Sequence, residues 1–198
     1  VFAVRVLDVF GNVSEAQALC TPRAPQAVLS QKPPLAVMRN ASGETRAAVL
    51  AAYLPYYAAH NADLTVPYDG VMDLLTTLRD AGVRLAVVSN KHDHGVQALC
   101  ARFFGEYLDL AVGADGTRPL KPAPDSLLYA LERLGVAPDD AWFVGDSVPD
   151  VQTARAAGVR CAAVTWGFQD RDRLAAQHPA ALVDTAAQLE AVIFGIKK

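Results

Sequence analysis

Four points in this chain carry residue types that could assemble chemistry on a phosphoryl group. They are Asp8, Ser89-Asn90, Lys121, and Gly145-Asp146-Ser147-Val148-Pro149-Asp150. If Asp8 and Asp146 meet, the two carboxylates repel one another and a pKa rises. A hard divalent cation relieves that repulsion, and ligands that are all oxygen select Mg2+. Asp150 follows Asp146 by one helical turn, so it either faces the same point or caps a helix; Asp is favoured at a cap in any case. Ser89 and the backbone N–H groups after it form the kind of loop-to-helix junction that holds phosphate oxygens. Lys121, held by Pro122 and Pro124, could neutralise a phosphate or a carboxylate nucleophile. Taken singly, Lys121 reads as a surface lysine and Ser89 as a turn former. His92 and His94 lie too close together, with no third ligand at the spacing of a zinc site, so a solvated or substrate-edge role is expected of them.

Such residues need elements to position them. Val4-Arg5-Val6-Leu7 predicts a strand ending at Asp8. Val71, Leu74, Leu75 and Leu78 repeat at helical spacing, with Gly82 as the stop. Strands are predicted at Val83 to Val88, Leu108 to Val112, Trp142 to Val144, Cys161 to Val164 and Leu182-Val183. Helices are predicted around Val96 to Phe104, at Leu127 to Leu134 between Pro124-Asp125 and Gly135, at Val151 to Ala157, and at Ala186 to Ile193. Strands alternating with helices imply right-handed crossovers. The expected fold is therefore α/β: a Rossmann-like parallel sheet with helices on both faces. Ligands bind such sheets at the carboxyl ends of the strands. The front differs. Residues 14 to 43 hold Pro22, Pro25, Pro33 and Pro34 without a clear period, and 44 to 60 read as helical. A small helical cap inserted after strand one, residues 14–66, is expected, with 1–13 and 67–198 forming the core.

Composition narrows the class. Of 198 residues, 52% are hydrophobic and 20% charged, which excludes disorder. Lys+Arg is 18 against Asp+Glu 21, a net charge of −3 with no basic run, so nucleic acid is not an expected partner. No stretch has the length of a membrane helix, and no membrane partner is expected. The start lacks a signal-peptide layout, and Cys20, Cys100 and Cys161 are an odd, sparse set. Free thiols and a cytoplasmic location are therefore expected, with Cys100 and Cys161 as small core residues. Trp142 and Trp166 read as core or sheet-edge residues, and Tyr53, Tyr56, Tyr57 and His60 as packing residues of the cap. A monomer and a homodimer are both open.

Three strings occur in order: Val87-Val88-Ser89-Asn90-Lys91, Lys121-Pro122-Ala123-Pro124-Asp125, and Val144 through Asp150. They resemble motifs two, three and four of the haloacid dehalogenase superfamily, in its phosphoglycolate phosphatase-like branch. The resemblance extends from about residue 44 to 194. It implies a Mg2+-dependent hydrolase of small phosphomonoesters, working through an aspartyl-phosphate. Carried over residue by residue, Asp8 would be the nucleophile and Lys121 its catalytic partner. Ser89, Asn90 and Lys121 would bind the phosphate. Asp8, the Phe10 carbonyl, Asp146 and Asp150 would hold or support the metal. The family's first motif is Asp-x-Asp-Gly-Thr, whereas this chain reads Asp8-Val9-Phe10-Gly11-Asn12. Phe10 thus stands where a general acid/base is expected, and Phe cannot transfer a proton. Two alternatives follow: a catalytically weak or inactive homologue, and a dehalogenase-type hydrolase that needs no metal. Asp115-Gly116-Thr117 mimics the missing motif, but Gly113 stands at the nucleophile's place, so a loop turn is expected there.

Overall fold

A run such as Leu85-Ala86-Val87-Val88 has no polar face, so it suits a strand covered on both sides. The computed structural model, which describes the backbone of Val4–Leu7 and residues 65–195, places it in such a sheet. The strands are β1 (Val4–Leu7), β2 (Arg84–His92), β3 (Leu110–Ala114), β4 (Ala141–Gly145), β5 (Arg160–Val164) and β6 (Ala181–Val183). The helices are α1 (Val71–Asp80), α2 (Asp93–Phe104), α3 (Asp125–Leu134), α4 (Val148–Ala156), α5 (Arg171–Ala175) and α6 (Ala186–Phe194), with a 3-10 turn at Pro138–Asp140. The sheet runs β3-β2-β1-β4-β5-β6, and every pairing is parallel.

This order sets the position of the site. The chain moves outward through β2 and β3, then returns to the other side of β1 as β4 before moving outward again. The direction therefore switches around β1, and ligands bind α/β sheets at the carboxyl ends beside such a switch. Leu7 ends β1 opposite Val144 of β4.

Period-two alternation distributes the core between the two faces of the sheet. Ala86, Val88, Phe143, Cys161 and Ala163 pack with Leu127 and Leu131 of α3, Val151 and Ala154 of α4, and Leu174 of α5. Their neighbours Leu85, Trp142, Val144, Ala162 and Val164 pack with Leu74, Leu75 and Leu78 of α1 and Leu189 and Ile193 of α6. Trp166 packs at the margin of that second cluster. Cys100 and Cys161 are buried and unbridged, as expected of core residues. Burial pushes the Cys161 thiol up to about 12, so it is inert as a nucleophile.

The elements depart from the sequence reading at several boundaries. Polar Ser89-Asn90-Lys91 reads as the end of a strand at Val88. The backbone instead continues extended to His92, with a register shift against β3 between Val88 and His92. β3 starts at Leu110, because Asp109 turns its carboxylate onto the Leu85 N–H at 2.8 Å. α4 begins at Val148, ahead of the predicted start at Val151, because a capping box at Ser147 and Asp150 opens it. α5 buries Leu174 alone, which leaves no periodic signal to read. The expected cap, 14–66, lies outside the described residues apart from Thr65 and Val66. No described helix is long and apolar enough to cross a membrane.

Candidate active site

Lys121 lies in the loop between β3 and α3, and its ammonium is buried. Its side chain is 2% exposed and that of Asp150 is 0% exposed. A charge removed from water in this way needs a partner. Lys121 Nζ donates to Asp150 Oδ1 at 2.7 Å and to the Val88 carbonyl at 3.3 Å, and it sits 5.8 Å from the centre of the Phe143 ring. Asn90 fixes the Lys121 main chain from β2. Asn90 Oδ1 accepts the Lys121 N–H at 2.7 Å, and Asn90 Nδ2 donates to the Lys121 carbonyl at 3.1 Å. Two of the expected phosphate-binding residues are thus bound to one another through the Asn90 side chain. Ser89, buried at the same strand end, accepts the Lys91 N–H on its hydroxyl oxygen at 3.2 Å.

Asp150 has two structural roles at once. Besides pairing with Lys121, its Oδ2 accepts the Ser147 N–H at 3.0 Å and the Ser147 hydroxyl, which closes the α4 capping box. Asp150 thus caps α4 while pairing with Lys121, and Asp146 takes no part in the cap. Gly145 leaves room for this arrangement: a Cβ there would lie 2.3 Å from Asp150 Cβ and 2.8 Å from its Oδ2. Gly145→Ala is therefore expected to lower stability by about 1–3 kcal/mol through overpacking, measurable by urea unfolding.

Asp146, just past the end of β4, is 2% exposed. Its Oδ2 accepts the Phe168 N–H at 2.6 Å, and its carbonyl accepts the Gln169 N–H at 3.2 Å. Among the described residues its Oδ1 is buried without a hydrogen-bond partner. Burial pushes the Asp146 carboxyl above its ordinary range, and the Asp150 charge adds to this. The Phe168 N–H and the Lys121 cation oppose it. A buried carboxylate oxygen without a partner costs free energy unless something electropositive meets it. A hard cation satisfies Oδ1 directly, so Asp146 fits Mg2+.

Asp8 and Phe10 lie outside the described residues. Among the described residues no group of three or more His, Cys, Asp or Glu could hold a metal. His92 and His94 are exposed. The Asp115 carboxylate accepts the Thr117 N–H at 2.9 Å and hydroxyl at 2.7 Å, the expected loop turn. The segment after β5, Gly167-Phe168-Gln169, had no role in the sequence reading yet holds Asp146. The signal was available, since this segment leaves a carboxyl strand end next to β4, but Trp166 marks it as core.

The family model for haloacid dehalogenase-like hydrolases matches residues 22–158. The chain belongs to that family. The match begins after Asp8-Val9-Phe10-Gly11-Asn12 and does not cover that stretch. Phosphoglycolate phosphatase 1 of Pseudomonas aeruginosa is 40% identical over 147 residues, covering 74% of this chain and 53% of that protein. A solved structure from Lactobacillus delbrueckii subsp. bulgaricus, assigned as a phosphoglycolate phosphatase, is 39% identical with a TM-score of 0.71, over 82% of this chain and 66% of that one. A haloacid dehalogenase-like hydrolase from Streptococcus pneumoniae shares the fold at a TM-score of 0.75 and 21% identity, over 96% of this chain and 98% of that one. The chain spans about half the length of the curated relatives it matches. In this chain Ser89 lies in the last part of β2, Lys121 in the loop after β3, and Asp146 just past β4.

Proposed function

We propose that this haloacid dehalogenase-like chain is a Mg2+-dependent phosphomonoester hydrolase of small metabolites, acting in the cytoplasm on a phosphoglycolate-like substrate. The observation that carries the reading is the buried, unpartnered Asp146 Oδ1 close to the Lys121–Asp150 ion pair. Anionic oxygen without a partner suits a divalent cation, and a rigidly held buried ammonium suits a phosphoryl oxygen or a carboxylate nucleophile. The name of the Pseudomonas aeruginosa relative supports the substrate class.

In this reading Asp146 and Asp8 would hold the cation with the Phe10 carbonyl, and Asp150 would support it by fixing Lys121 and the start of α4. When bound, the cation would supply positive charge that offsets the anionic charge of the reacting groups. Ser89, the Asn90 backbone and Lys121 orient the phosphoryl group. An Asp8 carboxylate oxygen attacks phosphorus, and the ester P–O bond breaks. The departing alkoxide takes a proton from water, because Phe10 offers none. Water then cleaves the aspartyl-phosphate, which releases phosphate and restores Asp8.

Phe10 favours a second reading, a weak or inactive homologue that binds phosphate compounds. The dehalogenase-type alternative differs in needing no metal. Hydrolysis of p-nitrophenyl phosphate, 2-phosphoglycolate and a 2-haloacid, each with and without Mg2+, separates all three. Phosphate release that requires Mg2+ is expected. Halide release without metal would replace this reading with the dehalogenase. A folded protein that binds inorganic phosphate without turnover would replace it with the inactive homologue.

A further inference from the structure

Gly167 stands where Asp146 leaves no room for a side chain. A Cβ on Gly167 would lie 2.1 Å from Asp146 Oδ2, 2.3 Å from its Cβ and 2.5 Å from its Cγ. Close-packed interiors do not absorb an overlap of that size without movement. The residues that follow hold the same aspartate. The Phe168 N–H donates to Asp146 Oδ2 at 2.6 Å, and the Gln169 N–H donates to the Asp146 carbonyl at 3.2 Å. Gln169 Oε1 also accepts the Val148 N–H at 2.8 Å, which ties the segment to the first turn of α4. Oδ2 is thereby committed to the backbone, and Oδ1 is the buried oxygen left without a partner.

We propose that Gly167 is a positioning residue for the divalent cation. The bare Cα lets the 167–169 backbone close onto the Asp146 carboxylate, and that contact fixes which carboxylate oxygen is presented. Gly167 itself touches neither cation nor substrate and acts through Asp146. The inference rests on Asp146 being a metal ligand, as proposed above. Groups that orient a metal ligand from behind typically change metal affinity by about 10–100-fold when altered.

Calorimetric titration of Mg2+ into the native chain and into Gly167→Ala tests this, at a temperature where circular dichroism shows both folded. Binding weaker by about 10–100-fold in Gly167→Ala is expected. A second measurement needs no metal and reads the contact itself: thermal unfolding of Gly167→Ala, of Asp146→Gly, and of the double variant. Gly167→Ala should lower Tm clearly in the native background and much less where Asp146→Gly has removed the carboxylate. Equal Mg2+ affinity in the native chain and Gly167→Ala, or strictly additive losses of Tm, overturns the inference and leaves Asp146 as a ligand. A folded native chain that takes up no Mg2+ overturns both the inference and the metal site beneath it.

Discussion

Phe10→Asp is expected to raise hydrolysis of 2-phosphoglycolate by about 10²–10⁴-fold, the usual range for a positioned general acid/base. The gain should depend on the leaving group. An alkoxide leaving from 2-phosphoglycolate needs a proton in the transition state. The p-nitrophenolate ion is stable without one, so its release gains less. The same new carboxylate, once deprotonated, would activate the water that cleaves the aspartyl-phosphate, a step common to both substrates. A larger gain on 2-phosphoglycolate than on p-nitrophenyl phosphate would therefore identify acid catalysis. Unchanged rates on both substrates, in a folded variant, would mean that Asp8-Val9-Phe10-Gly11-Asn12 does not occupy the place of the family's first motif.

Lys121→Met is expected to cost about 3–5 kcal/mol of stability, because it strands the Asp150 carboxylate with no cation in a buried site. The pairing distance is 2.7 Å and both side chains are buried, so solvent cannot replace the lost partner. Adding Asp150→Asn to Lys121→Met should restore much of the loss. Asparagine can still accept from the Ser147 N–H through its carbonyl oxygen but carries no charge. Urea unfolding of the native chain, the single variant and the double variant checks this. A single variant as stable as the native chain would contradict a dry, obligate pair. Phosphatase turnover should fall in both variants, since Lys121 is proposed to orient the phosphoryl group.

The sheet was legible because its strands are apolar on both faces and its helices carry clear stripes; Leu85-Ala86-Val87-Val88 and Val71-Leu74-Leu75-Leu78 admit few other structures. The site was partly legible for a different reason. Asp146 follows the end of β4, Ser89 lies near the carboxyl end of β2, and Lys121 and Asp150 follow on the next loop and helix, on the side where ligands bind this fold class; family resemblance gave the strings their meaning. Contacts made by shape rather than chemistry were not legible. Nothing in the residue types of Gly145 or Gly167 announces the carboxylate that fills the space beside each. The partners of Asn90 were equally hidden. Its amide is suited to a ligand, yet its side chain fixes the Lys121 backbone across a gap of 31 residues in sequence. The strand extension through Ser89-Asn90-Lys91 was hidden because polar residues at a strand end look like a loop, and only the sheet register distinguishes them.

The buried Oδ1 of Asp146 is the feature on which the metal, and with it the proposed chemistry, depends. Calorimetric titration of Mg2+ into the native chain and into Asp146→Asn tests it most directly. Asparagine keeps the size and the acceptor for the Phe168 N–H but removes the charge that draws a hard cation. One saturable Mg2+ site in the native chain, lost or weakened by orders of magnitude in a folded Asp146→Asn, is the expected result. Equal Mg2+ affinity in the two proteins, or no saturable binding by the native chain, would contradict it.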